Sequence, residues 1–160
     1  MFKKLLTTRS LCVSAVIAAL YAALTLLLAP LSYGPVQLRV SEALTLLPVL
    51  LPQSVPGLFV GCVLANLLGG CPWQDVVFGS LATLLAALGT WLFRRRRLLA
   101  AACPVIANGL IVGAVVSLSY HQPLAFTMLT VALGEAAAVA LGLVMLSALE
   151  RSRIDLNRLH

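Results

Sequence analysis

Apolar runs of about 20 residues recur along this chain, and that is the length an α-helix needs to cross the hydrocarbon core of a bilayer. The longest cover about residues 10–29, 74–93, 98–120 and 123–149, and two shorter ones cover about 36–51 and 56–68. With 61% hydrophobic and 10% charged residues among 160, the chain is too apolar for a soluble domain of its length. The expectation is a single all-α integral membrane domain over residues 1–160, with six transmembrane helices and a polar tail at 150–160. Pro30, Pro52, the Gly69-Gly70 pair with Pro72, and Arg94 to Arg97 punctuate the runs.

Charge placement gives the orientation. The net charge of +6 does not form a nucleic-acid-binding face, because the basic residues sit between or outside the apolar runs. They are Lys3, Lys4 and Arg9, then Arg94 to Arg97, then Arg151, Arg153 and Arg158. Cytoplasmic flanks carry such an excess. Six crossings put all three clusters on one side, whereas five would split them, so both termini are expected in the cytoplasm. Tyr33, Trp73 and Tyr120 then fall at the outer boundary, where amphipathic rings anchor. Leu11 to Ala29 follows basic residues as a signal peptide would, but it is too long and lacks a small-x-small cleavage site, so it is read as a retained span.

Several chemistries find no support. Cys12, Cys62, Cys71 and Cys103 lack C-x-x-C spacing, and His121 and His160 are the only imidazoles, so no metal site is expected. The cysteines read as small packing residues, with Cys71 alone falling in a loop, where a thiol is open to reaction. Zincin, nucleophile-elbow and Walker motifs are missing, so no catalytic residues are assigned and energy must come from an ion gradient or another chain.

Polar residues inside apolar runs are therefore the functional candidates, because an ionisable group there is disfavoured by roughly 2.5 to 3.5 kcal/mol. Arg39 and Glu42 lie three residues apart and would share a helix face, either neutralising one another or serving a ligand. Glu135 falls near the bilayer midplane beside Gly134, paired with Arg39 across the bundle or facing a ligand. Asn66 and Asn108 each offer a donor and an acceptor, to a heterocycle or to a neighbouring helix. Asp75 caps the fourth helix or joins the site. These groups converge on the outward half of the bundle, which implies a pocket opening outward.

On the first helix, Ala15, Ala19 and Ala23 recur at i, i+4 and i+8 beside Ala18 and Ala22. Such a strip lets another helix approach closely, either within the chain or from a partner. Gly57 with Gly61 and Gly109 with Gly113 are further small pairs, read as internal packing.

The runs GPVQLRVSEALTLLP (Gly34 to Pro48), PGLFVGCVLANLLGG (Pro56 to Gly70), DVVFGSLATLLAA (Asp75 to Ala87) and the stretch Ala132 to Glu135 resemble the QueT family of queuosine-precursor transporters. Its members are substrate-binding S components of energy-coupling factor (ECF) transporters. The resemblance implies an S-component-like bundle in a prokaryotic cell membrane that binds a 7-deazaguanine-type precursor from outside. It implies partners as well: a transmembrane coupling protein and two cytoplasmic ATPases, so that ATP is used outside this chain and no cofactor is held within it. An alanine strip on the first helix docks the coupling protein in S components, and Ala15, Ala19 and Ala23 match it. For such a ligand, Glu135 or Glu42 would accept the paired N–H donors and Asn66 or Asn108 would serve the carbonyl, with Arg39 organising the site. Two other classes stand beside this: a proton-coupled carrier in which Glu135 cycles its proton, and a structural membrane subunit.

Overall fold

The computed structural model describes residues 7–33 and 38–152. Lys3, Lys4, Gly34, Pro35, Val36, Arg153, Arg158 and His160, all used in the sequence reading, lie outside the described residues. Among the described residues every regular element is helical.

Helix α1 runs Thr8–Leu27 and opens on Thr7, whose hydroxyl accepts from the Ser10 amide at 3.3 Å. Pro30 cannot donate to a helical carbonyl, so the chain leaves the helix at Leu28 and restarts as the single turn α2, Ala29–Ser32, with Pro30 in its first turn. Helix α4 covers Ser54–Leu68, starting two residues earlier than expected because a first turn tolerates Pro56. It ends at Gly69 and Gly70, the latter at φ +69°, a conformation open to glycine. Helix α5 spans Asp75–Leu92 and begins with a wide π turn over Asp75–Gly79. Helix α6 covers Arg97–Tyr120 and α7 covers Leu124–Arg151, two residues past its expected end.

The largest departure is α3. An α-helix was expected over 36–51, but Val40–Val49 forms a ten-residue 3₁₀ helix. Pro48 removes one donor inside it, and the Thr45 hydroxyl donates to the Glu42 carbonyl at 2.6 Å, three residues back. A 3₁₀ helix rises about 2.0 Å per residue, so these ten residues reach about 20 Å where an α-helix would reach about 15 Å. Every residue from Ser41 to Pro48 is buried, so α3 is enclosed by its neighbours.

Among the described residues four helices, α1, α5, α6 and α7, are long and apolar enough to cross a membrane. The 15 residues of α4 extend about 22 Å, and like α3 it falls short of a hydrocarbon core of about 30 Å. Large apolar side chains such as Val16, Leu85, Leu110 and Val144 cover the outside, as a lipid-facing surface requires.

Glycines set the helix seams. A β-carbon on Gly57 would strike the Ser14 carbonyl, and one on Gly61 would come within 2.8 Å of the Ala18 carbonyl and 2.9 Å of Tyr21 Cβ. The α1 and α4 backbones are thereby in close contact. Gly113 plays the same part against Met128 between α6 and α7. At the opposite end from Tyr33 and Gly69, Arg97 grips both carboxylate oxygens of Glu150 at 2.7 and 2.9 Å, tying the start of α6 to the end of α7. Arg94 folds back over the Trp91 ring at 5.0 Å.

Candidate functional site

Three helices meet around a small internal cavity lined by Arg39, Glu42, Asn108, Val112, Val131 and Glu135. Asn108 and Val112 on α6, and Val131 and Glu135 on α7, are each four residues apart and so share one helical face. Arg39 and Glu42 come from the start of α3. The free space is about 10 Å³, room for about one water, so a bicyclic ligand requires the helices to part.

Arg39 does not share a helix face with Glu42 as the spacing predicts. It precedes α3 in an extended conformation, φ −90° and ψ 97°, and no ion pair forms between them among the described residues. Nor does Arg39 pair with Glu135. Its guanidinium lies 5.5 Å from the centre of the Tyr33 ring, and its Nε and Nη2 are buried without a hydrogen-bond partner.

The same holds around the cavity. Glu42 Oε2, Glu135 Oε1 and both amide atoms of Asn108 are buried and unpartnered. Asn108 sits within reach of both carboxylates yet closes a hydrogen bond with neither. Each such atom costs about 1 to 3 kcal/mol, and buried polar groups are normally paired. Six of them, from Arg39, Glu42, Asn108 and Glu135, gather at this one cavity. Together they offer donors (Arg39, Asn108 Nδ2) and acceptors (Glu42, Glu135, Asn108 Oδ1).

Two residues not singled out from the sequence complete the site. Tyr21, fully buried on α1, donates its hydroxyl to Glu42 Oε1. The Thr83 hydroxyl on α5 has its nearest acceptor in the same oxygen, at 3.1 Å, ahead of Gly79 O at 3.2 Å and Cys62 Sγ at 3.4 Å. The signal for Tyr21 was weak: one aromatic among alanines looks like core packing.

Asn66 and Asp75 do not line the cavity. Asn66 Nδ2 donates to the Asp75 carbonyl at 3.1 Å and approaches Cys62 Sγ at 3.6 Å, fastening α4 to the π turn of α5. Asp75 stands in the first turn of α5 as expected, but its Oδ1 is buried without a partner and no side-chain cap bond is formed. Beside this seam the Tyr33 hydroxyl donates to Ala65 O at 2.7 Å, and its ring fills the space over Gly69 that a β-carbon would occupy. Burial pushes the Tyr33 phenol up to about 12 and raises the Cys71 thiol above its ordinary value, which leaves that thiol protonated near neutrality.

Ala15, Ala19 and Ala23 are all exposed along one face of α1, while Ala18 and Ala22 are buried against the bundle. The internal seam with α4 therefore uses the second pair and leaves the first three uncovered.

Known proteins bear on these features. A relative from Lactococcus lactis subsp. cremoris (strain MG1363), called queuosine precursor transporter QueT, is 40% identical over 84 residues, 51% of this chain and 49% of its own. The match thus spans about half the length of that relative. No solved structure matches. The sequence profile of the QueT transporter family matches residues 11–151, nearly the whole chain, and the chain belongs to that family.

Proposed function

We propose that this chain is the substrate-binding membrane subunit of an ECF-type importer and takes up a queuosine precursor of the 7-deazaguanine type. The observation that carries this reading is the unpartnered polar lining: carboxylates opposite a guanidinium and an amide match a flat heterocycle with N–H donors on its edges and a carbonyl acceptor. Glu135 accepts paired donors, Asn108 and Arg39 serve the carbonyl, and Glu42 offers its free oxygen. Asn66 and the Asp75 carbonyl hold the neighbouring helices in place.

In this reading α3 and α4 complete six crossings within a single domain of residues 1–160. Both termini and Arg94 to Arg97 face the cytoplasm of a prokaryotic cell, and the Tyr33 end faces outward. Ligand arrives from outside as the helices part. The uncovered strip of Ala15, Ala19 and Ala23 receives the coupling protein, whose two ATPases hydrolyse ATP, and this chain itself holds no ATPase site and no cofactor.

Reconstitution decides the matter. Labelled 7-deazaguanine is expected to accumulate in vesicles that hold the chain with its coupling protein and ATPases and internal ATP. Concentrative uptake by the chain alone, driven by a proton gradient, would overturn the proposal in favour of a self-sufficient carrier. Ala19→Leu should leave ligand binding in detergent unchanged and abolish ATP-driven uptake; unimpaired uptake would remove the docking role from the strip.

A further inference from the structure

We propose that Tyr21 and Thr83 set ligand selectivity by occupying one oxygen of Glu42, so that Glu42 takes a lone ring N–H of the ligand while the ligand's paired donors go to Glu135. The inference rests on the 7-deazaguanine reading above and assigns roles within it.

A carboxylate grips two adjacent N–H groups through both of its oxygens. Glu42 has only one to offer: Oε1 accepts from Tyr21 and is the acceptor nearest the Thr83 hydroxyl, and Oε2 is the unpartnered oxygen at the cavity. Glu135 has no protein donor on Oε1 and stands across the same cavity. The two acids are unequal although both are buried.

Tyr21 is well placed to enforce the inequality. Its Cβ abuts Gly61, where no side chain intervenes, so α1 and α4 hold the ring in place. The Tyr21 carbonyl accepts from Thr25 Oγ1 at 2.8 Å, and Thr25 meets Ser41 Oγ at 2.6 Å, which pins α1 to α3 one residue before Glu42. The carboxylate is thus oriented from α1 and α5 before any ligand arrives, and preorganised groups lose less freedom on binding.

A 7-deazaguanine has the complementary asymmetry. One edge carries a ring N–H beside the exocyclic amino group, a paired donor. The five-membered ring carries a single N–H with no donor beside it. The pair fits Glu135, and the single N–H fits Glu42 Oε2.

Two isosteric probes separate these contacts: the furan analogue, in which oxygen replaces the five-membered-ring N–H, and 7-deazahypoxanthine, which lacks the amino group. Affinities for both and for 7-deazaguanine are measured by calorimetry on the full chain in detergent. Wild type is expected to prefer 7-deazaguanine over the furan analogue by about 30-fold, the scale of a lost hydrogen bond to a charged group. Tyr21→Phe should lower that preference about 10-fold and leave the preference over 7-deazahypoxanthine within about twofold. Placed in a Glu42→Gln background, Tyr21→Phe should have no further effect on the furan ratio, because it acts through Glu42. Thr83→Val, which removes the second donor with little change of shape, should lower the same ratio by a smaller factor and serves if Tyr21→Phe does not fold. An unchanged furan ratio in the folded variants, or an equal fall in both ratios that persists in the Glu42→Gln background, would make the two residues structural and overturn the inference. Wild type that binds no 7-deazaguanine would overturn the parent reading as well.

Discussion

Asn66 and Asn108 are the same residue at nearly the same depth of burial, 0% and 3% exposed, and the protein treats them in opposite ways. The Asn66 amide bonds the Asp75 carbonyl and lies against the sulfurs of Cys62 and Cys71. The Asn108 amide closes no hydrogen bond among the described residues, although Glu42 and Glu135 both lie beside it. The first stands in a closed seam between α4 and α5, the second in an open cluster between α3, α6 and α7. Burial alone thus says little about role; what differs between the two amides is whether the protein itself supplies their hydrogen bonds.

The strongest way to break this comparison is at Glu135. Glu135→Gln should lower affinity for a 7-deazaguanine about 100-fold, in line with losing one side of a buried charge-assisted contact, as calorimetry would show. The ligand-free protein should at the same time melt no lower than wild type, because the substitution replaces a buried carboxyl whose Oε1 no protein donor serves. A large loss of ligand-free stability would mean that Glu135 belongs to the frame.

Asn66→Ala should do the reverse. It removes the Asn66–Asp75 bond and opens the seam, so the ligand-free protein should lose about 2 kcal/mol in a denaturant titration, with ligand affinity changed by less than about threefold. Asn108→Ala should be smaller still and opposite in kind. Stability should stay within about 0.5 kcal/mol, and affinity should fall about 10-fold. If the two alanine variants behave alike, satisfaction is not what distinguishes these regions.

How far the sequence anticipated this arrangement depends on what kind of signal each element carries. Helices α1, α5, α6 and α7 are runs of 18 residues or more whose hydropathy marks them without help from tertiary contacts. The stretch 36–51 was legible as a short helical segment and was read as a crossing, but its 3₁₀ form was not, because Pro48, Thr45 and the enclosing helices decide its winding. The i, i+3 argument for Arg39 and Glu42 failed for the same reason, since it assumed a helix that begins before Arg39. Charge in an apolar run singled out Arg39, Glu42 and Glu135, which the fold brings to one cavity with Asn108. Composition could not tell Asn66 from Asn108, because that distinction lies in which carbonyl happens to be near. Tyr21 and Thr83 were hidden by their ordinary character, since a tyrosine or threonine in a helix announces a partner only once the fold supplies Glu42.

Tyr33 touches both regions and gives the finest test. Its ring lies over Arg39 at the open cluster, and its hydroxyl bonds Ala65 O at the closed seam. Tyr33→Phe keeps the ring and removes the hydroxyl, so only the seam should respond, with a small loss of stability and no change in ligand affinity. Tyr33→Ala should disturb both. Alkaline pH offers the same separation without mutation. The Tyr33 phenol is raised from 10.0 to about 12, chiefly by burial, so its protonated form is favoured in the folded state. Its contribution is complete below pH 10 and fades as the pH climbs toward about 12. Part of the alkaline loss of melting temperature over that window should therefore vanish in Tyr33→Phe. An identical pH profile in the two proteins would show that the hydroxyl does not hold the seam, and would leave Asn66 as its fastening.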